Sequence, residues 1–123
     1  MSREYDLQNR LIDYSVKIIK YAESLPPTKG PGILSIQLIK SGTSVALNYA
    51  EAQGAESRKD FVHKLKISLK ELRETHVNLR ILNKLYHPCK VDNSSLQDET
   101  EQLIRIFTKS IQTTLSVHKK KEG

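Results

Sequence analysis

Apolar residues recur along this chain at helical spacing in four blocks, and each block is closed by proline, glycine or a helix-capping residue. In the first, Leu11, Ile18 and Leu25 fall seven residues apart, and Ile12, Tyr14 and Ile19 widen the stripe. That spacing predicts a helix over about 4–25. Pro26 and Pro27, then Gly30, Pro31 and Gly32, predict a loop after it. A second block, about 33–53, sets Leu34, Leu38, Val45, Tyr49 and Ala52 near one face, with Ile36, Ile39 and Leu47 beside them. Gly42, Thr43 and Ser44 lower its intrinsic helicity, so close packing against another helix is expected to hold it. Gly54 is the expected C-terminal cap, in the left-handed conformation that glycine adopts most easily.

The third block, about 57–87, opens at Ser57, which with Asp60 forms a capping-box pattern. Phe61, Leu65, Leu69, Leu72, Leu79, Leu82 and Tyr86 follow at steps of three, four or seven, until His87 and Pro88 end the run. The fourth, about 95–118, starts at Ser94 or Ser95 with Asp98 in capping position and carries Leu96, Leu103, Phe107, Ile111 and Leu115. Residues 119–123 read as a frayed basic tail. Four amphipathic helices on short loops imply one all-α domain over 1–123, an antiparallel up-down-up-down four-helix bundle. Ile67, Val77, Ile81, Ile104, Ile106, Ile12 and Ile19 fall outside the core stripes. They are either scattered surface aliphatics or a second seam that buries itself against another copy.

With 123 residues the chain has room for one core, and 37% hydrophobic against 28% charged residues is the balance of a folded protein rather than a disordered one. A net charge of +6 permits contact with polyanions. Cys89 is the single cysteine, which excludes an internal disulfide and a multi-cysteine zinc site. Arg3, Glu4 and Asp6 interrupt what a secretory signal would need, and no run is long enough to span a bilayer, so a cytoplasmic location is expected, with no membrane association.

The third helix carries the clearest constellation. At 100° per residue, Lys59, His63, Lys66, Lys70, Arg73, Arg80 and Lys84 share one narrow stripe opposite the Phe61, Leu65, Leu72 and Leu79 face, and the stripe holds no acid. A rigid line of cations can follow phosphates, releasing counterions at each contact. The plain alternative, and the commoner fate of such a run, is a solvated helix face. Asp60 and His63 form one acid-x-x-His pair, whereas carboxylate-bridged metal sites in bundles need two such pairs, so no metal and no cofactor is expected. Asn48 and Glu51 are polar residues on a mostly apolar helix; bonding to a neighbouring helix or fixing the turn suits them better than catalysis, since no nucleophile stands near. The tyrosines do not alternate with the cations, which favours contact with phosphates over reading of bases.

The run SGTSVALNYAEAQGAESRKDFVHKLKISLKELRET resembles the four-helix-bundle family labelled S23 ribosomal protein, known from reading frames in intervening sequences of bacterial 23S ribosomal RNA genes. Ser44 and Val45, then Asn48, Ala50 and Glu51, match its second-helix signature. Ser57, Asp60, Phe61, Leu69, Glu71, Glu74 and Thr75 match the next helix, and Gly54 matches the second of two glycines whose first is here Ala52. The sequence is also similar to the accessory protein of diversity-generating retroelements. The resemblance implies a protomer that assembles into a ring, typically a homopentamer, with no enzymatic activity, and in the accessory proteins a basic barrel that binds nucleic acid and a reverse transcriptase.

Three readings follow in order. The first is a non-enzymatic homo-oligomer that binds RNA or DNA phosphates through Lys59, Lys66, Lys70, Arg73, Arg80 and Lys84. The second is a protein-interaction scaffold or accessory subunit without nucleic-acid contact, serving a partner such as a reverse transcriptase. The third is an enzyme built on Asp60, His63 and Glu51.

Overall fold

Four helices account for nearly all of residues 3–85 and 92–122, which are the residues described by the computed structural model. They are α1 (Arg3–Glu23), α2 (Lys29–Gln53), α3 (Arg58–Leu85) and α4 (Ser94–Glu122). Among the described residues there is no strand. The expected helix end at His87 and Pro88, together with Tyr86 and Cys89, lies outside them.

Partnered residues fix how the helices run. Between α2 and α3, Leu34 pairs with Asn78, Ser41 with Thr75, Val45 with Ser68 and Glu51 with Lys64, so numbers fall on one helix as they rise on the other. The same reversal joins α3 to α4 through Leu79 with Asn93 and His76 with Glu101. It joins α1 to α4 through Tyr21 with Asn93 and Tyr14 with Thr100. Neighbours on three sides are antiparallel, which leaves α1 and α2 opposed as well: an up-down-up-down bundle.

The predicted stripes meet at its centre. Leu11, Tyr14, Ile18, Leu38, Val45, Leu65, Leu72, Leu79, Leu82, Leu103 and Phe107 are all buried, and the rings of Tyr49 and Phe107 meet edge to face across the core at 5.9 Å. Each buried leucine contributes about 1.5–3 kcal/mol. Gly42 does what the sequence suggested: a Cβ there would sit 2.8 Å from Cγ2 of Ile18, so the missing side chain sets how closely α1 and α2 pack.

Four local expectations are corrected. Gly30, Pro31 and Gly32 are not loop but the first turn of α2, behind Thr28 as N-cap. Proline is tolerated there because the N–H it lacks would have no partner in a first turn, and Pro31 is buried. Gly54 does cap α2, but at φ −99°, ψ 14°, outside the left-handed region, so the turn makes no conformational demand for glycine. Asp98 is not the cap of α4; it accepts a hydrogen bond from Gln102 at 3.0 Å. Asp92 takes that part, accepting from the Ser94 N–H and hydroxyl at 3.0 Å each, and these two donors hold its carboxyl below the usual aspartate range. Finally, α4 continues to Glu122 instead of fraying at 119.

Candidate nucleic-acid interface

The outward face of α3 is set by its inward one. Leu65, Ser68, Leu72, Thr75, Leu79 and Leu82 alternate at steps of three and four and are all buried, so the positions half a turn away must face solvent. Lys59, His63, Lys66, Lys70, Arg73, Arg80 and Lys84 are accordingly all exposed. A helix of 28 residues extends about 42 Å, long enough for one strand to lie along it. The stripe is less purely basic than the sequence wheel suggests. Glu74 projects beside it, 4.0 Å from Nζ of Lys70, in the lysine-before-glutamate order that is the weaker one on a helix.

Four depressions lie on or beside the face. At the start of α3, Arg58, Lys59, Val62, His63 and Lys66 line a cleft of about 400 Å³ closed by Leu115 of α4. Arg58 also lines a shallower hollow beside Phe61 and Thr114, and its Nη1 is shielded from solvent without a hydrogen-bond partner. Midway, a groove of about 710 Å³ between α2 and α3 has an apolar floor of Leu34, Val77 and Ile81 and is rimmed by Lys40, Arg73, Glu71 and Glu74. Val77 and Ile81 are 51% and 48% exposed. Burial, then the neighbouring Glu74 carboxylate, pushes the Glu71 carboxyl up from its ordinary value. Near the end of α3, Arg80, Asn83 and Lys84 face Gln97 across a shallow hollow.

The remaining sequence candidates build the α2–α3 turn. Asn48 does not reach a neighbouring helix; its Nδ2 donates to the carbonyl and hydroxyl of Ser44 within α2, at 2.9 and 2.8 Å. Glu51 is exposed and pairs with Lys64 of α3 at 3.5 Å. Ser57 Oγ accepts from the Asp60 N–H at 3.0 Å, the serine half of the capping box, and Phe61 packs half-buried against the core. Asp60 and His63 are not joined by further ligands: among the described residues no three His, Cys, Asp or Glu side chains group as a metal site would require.

Sequence reasoning missed a set of polar pairs inside the bundle. Ser41 and Thr75 share a hydrogen bond at 2.7 Å, and the Ser68 hydroxyl donates to the Val45 carbonyl at 3.2 Å. Asn93, fully buried, donates to both the Leu79 carbonyl and the Tyr21 hydroxyl. Ser68 and Thr75 occupy stripe positions between leucines, which is the signal that was available. Arg10 clamps Glu99 across α1 and α4 with bonds of 2.8 and 2.7 Å, and this pairing holds its guanidinium above the ordinary range.

A family model described as 23S rRNA-intervening sequence protein matches residues 3–109. The chain is also similar to a solved structure from Bacteroides thetaiotaomicron, a protein with unknown function from the S23 ribosomal protein family. The two share 25% sequence identity over 90% of this chain and 99% of that one, with a TM-score of 0.78. Among curated proteins none matches. No helix among the described residues is long and apolar enough to cross a membrane.

Proposed function

The chain belongs to the 23S rRNA-intervening sequence protein family, and from that premise we propose that it is a non-enzymatic, cytoplasmic homo-oligomer that binds nucleic-acid phosphates along α3. One observation carries this reading: Lys59, Lys66, Lys70, Arg73, Arg80 and Lys84 all emerge on the solvent side of a single uninterrupted helix. Spaced cations on a rigid rod suit a phosphate backbone, and without interleaved aromatic rings binding should depend steeply on salt and weakly on sequence. Self-association, as a pentamer by family resemblance, would bury the exposed aliphatics such as Val77 and Ile81 and set several such rods side by side.

Titration of labelled structured RNA and duplex DNA over a range of salt tests this. The triple variant K66E/K70E/R73E should lower affinity by about two to three orders of magnitude at low salt. Unchanged affinity would remove α3 from the interface. A second reading rests on the α2–α3 groove, whose apolar floor suits a protein partner such as a reverse transcriptase. Partner capture that survives the triple reversal, with RNA binding lost, would favour that scaffold.

A further inference from the structure

The cleft at the start of α3 differs in chemistry from the rest of the face. Four nitrogen-bearing side chains line it, Arg58, Lys59, His63 and Lys66, and no carboxylate does. Its volume of about 400 Å³ falls within the roughly 300–1,000 Å³ usual for small-ligand sites. The second observation is Arg58 Nη1, removed from water with no acceptor. Arg58 thus keeps hydrogen-bonding capacity that no side chain of the protein uses, and a turn of its guanidinium toward the cleft would present that capacity to an anion bound there.

The kind of anion follows from the count and geometry of donors. Three permanent cations exceed what an internal phosphodiester, with one charge, can balance. A phosphate monoester, close to two negative charges at neutral pH with three strong acceptor oxygens, matches them better. Arginine's planar fork grips two such oxygens at once, while the lysines act as point charges at the flanks. Val62 and Leu115, one wall of the cleft, give an apolar surface for the sugar that carries the phosphate. We propose that this cleft binds the phosphate monoester of a nucleotide, either free or at the end of a nucleic-acid strand.

The strand-end form rests on the nucleic-acid reading of α3; the free-nucleotide form does not. In the former, Lys66 belongs to both the cleft and the stripe. A strand seated by its terminal phosphate would have its following phosphates directed toward Lys70, Arg73, Arg80 and Lys84, over about 27 Å of helix.

The test uses the full chain and three short RNA strands of one sequence, with a 5′-phosphate, a 3′-phosphate, or hydroxyls at both ends, plus adenosine monophosphate as competitor. At least one phosphorylated strand should bind about tenfold more tightly than the hydroxyl strand. The preference should vanish in R58Q and K59Q and persist in K84Q. Thermal melting checks that R58Q folds; R58K, which keeps the charge and loses the fork, should lose most of the preference in either case. Competition by adenosine monophosphate identifies the free nucleotide as sufficient, and an end preference without competition identifies the strand end. Equal binding of all three strands with no competition overturns the proposal, and if salt-dependent binding persists, the α3 reading survives it. Binding of adenosine monophosphate without salt-dependent strand binding has the reverse meaning.

Discussion

The two halves of the exposed α3 face carry similar numbers of cations in different company. In the first half, Lys59, His63 and Lys66 are joined by Arg58 around a cleft that no acid enters. In the second, Lys70 is drawn to Glu74, Arg73 shares a groove with Glu71 and Glu74, and Val77 and Ile81 interrupt the basic run. A helical wheel treats these cations as equivalent. What separates them is the neighbouring element: α4 brings a leucine to the first half, whereas α2 brings Leu34 and Lys40 to the second.

Neutralising matched pairs of cations breaks the comparison most sharply. K59Q/K66Q should weaken RNA binding by about a hundredfold and R80Q/K84Q by about tenfold, while each lowers the salt slope by about two, one per lost phosphate contact. Equal losses in affinity would erase the distinction between the halves. The next largest effect concerns the apolar floor of the second half. Val77 and Ile81 are already half covered, so burying the remainder of each is worth about 1 kcal/mol. V77S/I81S should therefore weaken self-association by roughly thirtyfold in sedimentation equilibrium, with the salt slope of RNA binding retained.

Gly54 leads the chain into the first half, and because its backbone lies outside the left-handed region, G54A should raise stability by about 0.4–1 kcal/mol in urea unfolding. A loss instead would mean that the turn needs glycine after all. Removing the acid beside Lys70, in E74Q, should make the second half more like the first and raise RNA affinity about twofold. The smallest effect is on Glu71. Its folded carboxyl is raised, so the stability tied to its protonation is complete below the unfolded value, about 4.3, and is lost as pH rises through the folded value. E71Q should then exceed the parent by a few tenths of a kcal/mol at neutral pH, and a melting series should show the gap closing near pH 4.

The parts of this molecule that were legible in its sequence are those governed by a single helix. Leu65, Leu72, Leu79 and Leu82 set the phase of α3, and once that phase is known the exposure of Lys59 through Lys84 follows. Boundaries proved less legible where chemistry is permissive: Pro31 looks like a breaker but fits a first turn, and the sequence pattern pointed to Asp98 where Asp92, before the helix, takes the Ser94 N–H. Features made by two helices were the least legible. Nothing near Arg58 in the chain announces Leu115, and Ser41 gives no sign that Thr75 will meet it. The buried Asn78 is similar: its Nδ2 donates to Leu34 of another helix at 3.1 Å, while its Oδ1 has no partner.

The seam between α1 and α4 differs in kind from the others. Consecutive helices pack closely, but of the four adjacent pairs the first and last helices approach each other least, and polar side chains bridge them: Arg10 to Glu99, Tyr14 to Thr100, Tyr21 to Asn93 at the start of α4. Contacts between consecutive helices cost little loop entropy and form early, whereas this seam joins residues more than seventy positions apart. Such a seam should close last in folding, and hydrogen exchange of the native protein should show α1 and α4 opening from each other before the α2–α3 pair separates.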